Sequence, residues 1–306
     1  MSFIQIRTKV ALVIFVLLYA GFTTLSYEYL KLKNAESSQL VRHLLCGIES
    51  GAYTTNLTNG DTFHIFDAVE KSGELQVLGL HYGVNDSVLD WGSHYVLTRS
   101  FEKLQFRCRF HSTEKTKMFT TIARKEMDQY KFYFRLYCRI PYRELEITEF
   151  NEVTLYDKTG NINILLKLCN EELRKESKVK TVATCVSVLR DKFDESLIHQ
   201  WVQYHKLIGI EHFYFFDRDG TYRSTIQKYV DEGVATYALQ PLYRNDIQSS
   251  PSPDQILIFN KCLMRYGIRY EWMLFSDLDE YLNVRNDGHN ITNYLMVFVD
   301  LYCFLI

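Results

Sequence analysis

The stretch FSDLDEYLNV, residues 275–284, sets three carboxylates, Asp277, Asp279 and Glu280, directly behind the apolar run Trp272, Met273, Leu274 and Phe275. Carboxylates at the end of an apolar strand either cap a turn or hold something cationic. In an extended segment residues i and i+2 face the same way. Asp277 and Asp279 are therefore expected to project to one side while Leu278 points into the core. Two converging hard oxygen donors suit Mn2+ or Mg2+, ions that keep further coordination positions for water and substrate phosphates. The alternative is a solvated acidic turn.

The segments before this cluster decide what it can be used for. Residues 181–189, TVATCVSVL, form a continuous apolar run. Asp194 and Glu195 then open an amphipathic helix with Leu197, Trp201, Tyr204 and Ile208 on one face and Gly209 at its close. A second strand (211–217), a second helix (222–232, ending at Gly233), a third strand (234–239), a third helix (254–266) and a fourth strand ending in the acidic cluster follow. Repeated strand–helix units predict a Rossmann-like parallel sheet with helices on both faces. In such sheets ligands sit at the carboxyl ends of the strands, which is where Asp277 and Asp279 fall. Asp217, ending the second strand ahead of Asp219, suits either a ribose or base contact or a turn and helix N-cap. Asp194 and Glu195 suit helix initiation as well as a ligand contact, and His205 reads as a core histidine. Gln255 and Asn260 on the third helix either reach a ligand or pack.

Upstream, residues 62–142 alternate in the manner of half-buried antiparallel strands. In KFYFRLYCRI, Phe132, Phe134, Leu136 and Cys138 share one face. A small β-sandwich is expected there, with NEELRKESKVK behind it as a linker or surface helix. At the amino end no residue from Val10 to Tyr27 is charged, and Arg7 and Lys9 precede that run. It meets the lower length limit for a membrane-spanning helix, with a cleaved signal peptide as the other reading. Positive charge on the leading side predicts that end in the cytosol and the remainder in a lumen. Sequons at Asn56, Asn85 and Asn290 agree with that placement. The seven cysteines include no CxxC pair, which argues against a structural zinc site, and an odd total leaves at least one outside any intrachain pairing. A net charge of −2 without a long basic run argues against a nucleic-acid partner.

Several of these motifs occur together and in order. DESLIHQWVQYHKLIGIEHFYFFD followed by DQILIFNKCLMRYGIRYEWMLFSDLDEYL resembles glycosyltransferase family 92 over residues 182–284. That family's pattern pairs a W-x-x-Y-H-x-x-x-G helix with Q-x-x-x-x-N-x-C-L and D-x-D-E-[FY]. Trp201, His205 and Gly209 match the helix, and Glu280 and Tyr281 continue the D-x-D of Asp277 and Asp279.

The resemblance implies an α/β GT-A-like fold and a type II Golgi enzyme. It also implies Mn2+ or Mg2+, a nucleotide-sugar donor of the UDP-galactose kind, and a glycan acceptor attacking with inversion. Asp277 and Asp279 would hold the metal and diphosphate, with Asp217, Glu195 and Gln255 as further candidate donor contacts. The expected organisation is cytosolic tail and anchor (1–27), stem (28–60), β-rich domain (61–150), linker (151–180) and nucleotide-sugar-binding half (181–306). A domain of this family would extend well beyond Ile306, and the missing part normally carries the acceptor surface and general base. No catalytic base is therefore assigned. The alternative function is a luminal membrane protein that binds donor without turnover.

Overall fold

In the computed structural model the described residues are 40–46, 53–56, 62–71, 73–82, 104–112, 118–127, 133–141, 150–160, 162–173, 180–190, 192–240, 253–284 and 290–295. They belong to two compact units, one built from residues 38–176 and the other from 177–243 and 254–306.

The first unit carries nine strands: β1 (Leu40–Leu45), β2 (Tyr53–Asn56), β3 (Thr62–Lys71), β4 (Glu74–Tyr82), β5 (Phe106–Ser112), β6 (Met118–Met127), β7 (Tyr133–Arg139), β8 (Phe150–Asp157) and β9 (Asn163–Leu173). They form one antiparallel sheet in the order β1-β9-β8-β5-β6-β7-β4-β3-β2, and β1 also meets β3 through Leu44 and Val69, so the sheet curls back on itself. Period-2 patterning produces this. Along β5 buried Phe106, Cys108 and Phe110 alternate with half-buried Arg107, Arg109 and His111. Phe63 stacks on Phe134 at 4.7 Å and on Phe106 at 5.6 Å inside the curl. Gly79 lies where a Cβ would collide with the Phe134 ring. Disulfides Cys46–Cys169 and Cys108–Cys138 cross-link the unit.

The second unit has β10 (Lys180–Val186), α1 (Ser196–Leu207), β11 (His212–Asp217), α2 (Arg223–Asp231), β12 (Ala235–Leu239), α3 (Pro253–Tyr266) and β13 (Tyr270–Ser276). Its four strands pair in parallel in the order β12-β11-β10-β13. All six residues of β11 are buried, as a strand covered on both faces requires. One core gathers Trp201, Val202, Phe213, Phe215, Ile226 and Tyr229 from α1, β11 and α2. The other gathers Cys185, Tyr214, Phe216, Ile258 and Cys262, with the disulfide Cys185–Cys262 fastening β10 to α3.

The Rossmann-like, GT-A-like α/β class expected for the chain is corrected by this structure. Nine of the thirteen described strands lie in a single antiparallel sheet, and parallel pairing is limited to four. The expectation gave too much weight to the strand–helix alternation after residue 181 and too little to the strand-after-strand alternation before it. The small β-sandwich is likewise replaced by one curled sheet. Register shifts at Ile65/Asp67 and His111/Ser112 supply the local bending. Residues 151–180, expected as a linker, contain β8 and β9, and β1 and β2 lie within the expected stem.

The expected placement as a single-pass type II Golgi membrane protein is corrected too. Among the described residues no helix is long and apolar enough to cross a membrane. The anchor expected over residues 10–27 lies outside the described residues, as do the Asn85 sequon and Cys303. Cys46, Cys108, Cys138, Cys169, Cys185 and Cys262 are all paired.

Candidate functional site

The parallel sheet brings four strand ends to one edge: Val186, Asp217, Leu239 and Ser276. Register fixes their level, with Val186 beside Ser276 and Asp217 beside Leu239. The Ser187 N–H donates to the Ser276 carbonyl at 3.0 Å, carrying the β10–β13 contact one residue past the ladder.

The acidic cluster follows at once. β13 stops at Ser276 and the chain turns. The Glu280 N–H donates to the Asp277 carbonyl at 3.1 Å, and the Asp277 N–H donates to Glu280 Oε2 at 3.3 Å. The extended i, i+2 geometry expected for Asp277 and Asp279 is therefore replaced by a turn, in which Asp277 is half-buried and Asp279 exposed. Leu278 packs, partly buried, against the core of α1 and β11. Gln255 in the first turn of α3 donates from Nε2 to Asp277 Oδ1 at 3.0 Å, so these two candidates meet. Burial, then the neighbouring charges of Glu280 and Asp279, push the Asp277 carboxyl above the usual range. A hydrogen bond from Ser187 and the nearby Arg190 charge pull it back. Ser187 and Arg190 belong to the site and were not singled out in the sequence, although the strand-end rule applied to β10 would have pointed to them.

Other candidates are committed elsewhere. Asp217 is fully buried: Oδ2 accepts from the Tyr222 N–H at 2.8 Å and from the Tyr237 hydroxyl at 2.9 Å, and Oδ1 accepts from the Asp219 N–H at 3.4 Å. Of its two sequence readings, the turn-building one describes these bonds. Asp219 accepts from the Thr221 N–H. Exposed Glu195 accepts from the Thr225 hydroxyl, joining the starts of α1 and α2, and Asp194 accepts from the Ser196 N–H at 2.9 Å. Asn260 donates to the Ile256 carbonyl within α3 at 2.8 Å. Lys261, also on α3 and buried, donates to Gln240 Oε1 at 2.8 Å, so α3 reaches the ends of both β12 and β13.

His205 is fully buried, and burial lowers its pKa to about 4, partly offset by the Trp201 carbonyl. An unfolded histidine titrates near 6.5. The native state thus binds fewer protons between these values, and the stability contributed by the neutral ring is full above about 6.5 and lost as pH falls through about 4. The loss is on the order of 3 kcal/mol. Urea midpoints followed by fluorescence of Trp201 and Trp272, both in this unit, should fall across that window, and His205→Gln should flatten the slope. An unchanged slope in the variant would remove His205 as the cause.

Carboxylates gathered in one turn, with the half-buried one resisting ionisation, fit a divalent cation. Among the described residues no group of three or more His, Cys, Asp or Glu side chains converges on a metal position. Among the described residues such a site would therefore draw on at most two carboxylates, as where substrate phosphates and water complete the shell.

A family-model match falls on the same segment. Residues 180–302 match the family model described as Glycosyltransferase family 92. The galactan beta-1,4-galactosyltransferase GALS3 of Arabidopsis thaliana is 27% identical over 115 residues, which is 36% of this chain and 22% of that protein. This chain therefore spans about a fifth of that relative's length. Two solved structures share remote likeness. One is the flavohem-like FAD/NAD binding domain of a nitric oxide dioxygenase from Vibrio cholerae O1 biovar El Tor (10% identity, 74% of this chain and 99% of that one, TM-score 0.17). The other is a ferredoxin-NADP+ reductase from Plasmodium falciparum (8% identity, 76% and 86%, TM-score 0.19). At those scores neither carries an argument. Sequence motifs and family model converge on the segment that holds the acidic turn, and over residues 180–302 this chain is similar to glycosyltransferase family 92.

Proposed function

We propose that the carboxyl edge of β10–β13 is the donor pocket of a metal-dependent hexosyltransferase. The sugar would be galactose from UDP-galactose, passed to a glycan acceptor. The observation that carries this reading is the acidic turn of Asp277, Asp279 and Glu280 at the end of β13, braced by Gln255 from α3, inside the family 92 segment. The name of the plant relative supports galactose as the sugar.

In this reading Asp277 and Asp279 hold Mn2+ or Mg2+ against the diphosphate. When bound, the ion offsets the negative charge that grows on the departing UDP. Gln255 and Ser187 orient the Asp277 carboxylate, and Arg190 adds a positive charge at the same strand edge. An acceptor hydroxyl attacks the anomeric carbon and the bond to UDP breaks, so a carboxylate must take the acceptor proton. Asp217 and Glu195 are spent on Tyr222, Tyr237 and Thr225, and we assign neither as that base.

The test is UDP release from a panel of UDP-sugars by the full-length gene product, with manganese present or chelated. UDP-galactose should be turned over only with metal. Equal turnover after chelation would end the metal-dependent reading, and no turnover of any UDP-sugar would end the transferase reading.

A further inference from the structure

Three side chains on one face of α1, Trp201, Tyr204 and His205, engage one short stretch of backbone. Trp201 Nε1 donates to the Glu280 carbonyl at 2.9 Å, and the Tyr204 hydroxyl donates to the Leu282 carbonyl at 2.7 Å. The Leu282 N–H in turn donates to His205 Nε2 at 3.5 Å. The tautomer follows from the partners. His205 Nδ1 lies 2.8 Å from the Trp201 carbonyl, which only accepts, so Nδ1 carries the proton and Nε2 is left to accept. Positions i, i+3 and i+4 share one helix face, and here all three end on residues 280–282.

Ring contacts fill the space between these bonds. The Tyr281 ring stacks on His205 at 5.8 Å and meets Tyr204 edge-on at 5.2 Å. One turn further along, the Ile291 N–H donates to the Ile208 carbonyl at 2.7 Å. At Gly209, with φ of +100°, a Cβ would come within 3.1 Å of Asn290 Oδ1. The helix thus grips the chain at 280–282 and again at 290–291.

We propose that Trp201, Tyr204 and His205 are positioning residues, a clamp that fixes the exit of the acidic turn so that Asp277 and Asp279 are presented to a metal–diphosphate group. The assignment rests on the donor-site reading above and explains it mechanically. β13 holds the entry to the turn, and α1 holds its exit. None of the three clamp side chains bonds to Asp277 or Asp279, so their effect passes through the backbone of 280–282.

Two readouts on the full chain separate the clamp from the donor assignment. The first is amide hydrogen exchange without ligand, comparing wild type with Tyr204→Phe, His205→Leu, His205→Gln and a control. Tyr229→Phe is the control, because it removes a comparable bond, from the Tyr229 hydroxyl to His199 at 3.0 Å, on the side of α1 that faces α2. Exchange over residues 277–284 should quicken about fivefold in Tyr204→Phe and His205→Leu, the scale of one hydrogen bond. His205→Gln, which keeps a donor and an acceptor, should restore most of the protection, and Tyr229→Phe should leave that stretch unchanged.

The second readout is the affinity of UDP with Mn2+, expected to weaken about fivefold in the same two variants and not in the control. Unchanged exchange in Tyr204→Phe and His205→Leu would overturn the clamp. Quickened exchange with wild-type affinity would overturn its positioning role, as would equal loss of affinity in the control. A wild-type chain that binds no UDP but shows the exchange pattern would defeat the donor reading and leave the mechanical clamp standing.

Discussion

Asp279→Asn should remove manganese-dependent UDP binding while leaving the fold intact. Asp279 is exposed in the turn after β13, and among the described residues no hydrogen bond or ion pair ties its carboxylate to the sheet. Its charge is therefore free for a cation. Losing one of the two carboxylates that would hold the ion should lower affinity at least about tenfold, roughly 1.4 kcal/mol. Calorimetric titration of UDP with Mn2+ present or chelated reads the effect directly, and urea unfolding checks the fold. Retained, metal-independent binding by the variant would refute the assignment.

Asp277→Asn should lose binding as well, but with a gain in stability. The Asp277 carboxyl is pushed up in the folded state, so it contributes stability that is full below its unfolded pKa and lost as pH rises through the folded one. At neutral pH its charge therefore works against the fold of the turn. Asparagine keeps an acceptor for Gln255, and the variant should melt higher than wild type at neutral pH, with the gap closing in acid.

The second large effect concerns Asp217. Its buried carboxylate accepts from the Tyr222 N–H and the Tyr237 hydroxyl, and it shapes the bend from β11 into α2. Hydrogen bonds to a charged group are worth about 1.5–3 kcal/mol, and a donor left unsatisfied adds to the loss. Asp217→Ala should thus lower the unfolding free energy by about 3 kcal/mol or more. Affinity for UDP, measured where the variant is still folded, should change little. The reverse outcome, full stability with lost affinity, would return Asp217 to the ribose contact that its strand-end position suggested.

Asp217 also shows how far the sequence could be read. An acid at a strand end in an α/β region has two chemically sound uses, and choosing between them needs Tyr237, which lies on the next strand and pairs with the level of Phe215. The acidic turn was legible because its residues are contiguous and its family pattern is specific. Its geometry was not, because the turn is closed by the Glu280 side chain and by α1, neither visible in an i, i+2 rule. His205 was legible as a core histidine from the apolar face it shares with Trp201. Its bond to Leu282 was not, being a contact across 77 positions. Ser187 and Arg190 were overlooked since neither carries a motif; Ser187 matters through its place beside Ser276, and Arg190 through its charge near Asp277. The fold class was misjudged for a related reason. Period-2 alternation from β3 to β9 shows that strands exist and which face is buried, but it does not distinguish two facing sheets from one sheet whose first and third strands meet.

The hold of α1 on the acidic turn also bears on the order in which the site is assembled. Trp201 and Glu280 are separated by 79 positions, and α1 is complete well before β13 in the chain. Local helix formation is fast, whereas contacts of long sequence separation must first meet the entropy of loop closure. The turn should therefore acquire its shape among the last features to form, once β10, β11 and β13 have paired around α1. If the turn binds a donor as proposed, ligand binding would report that folding of this unit has finished.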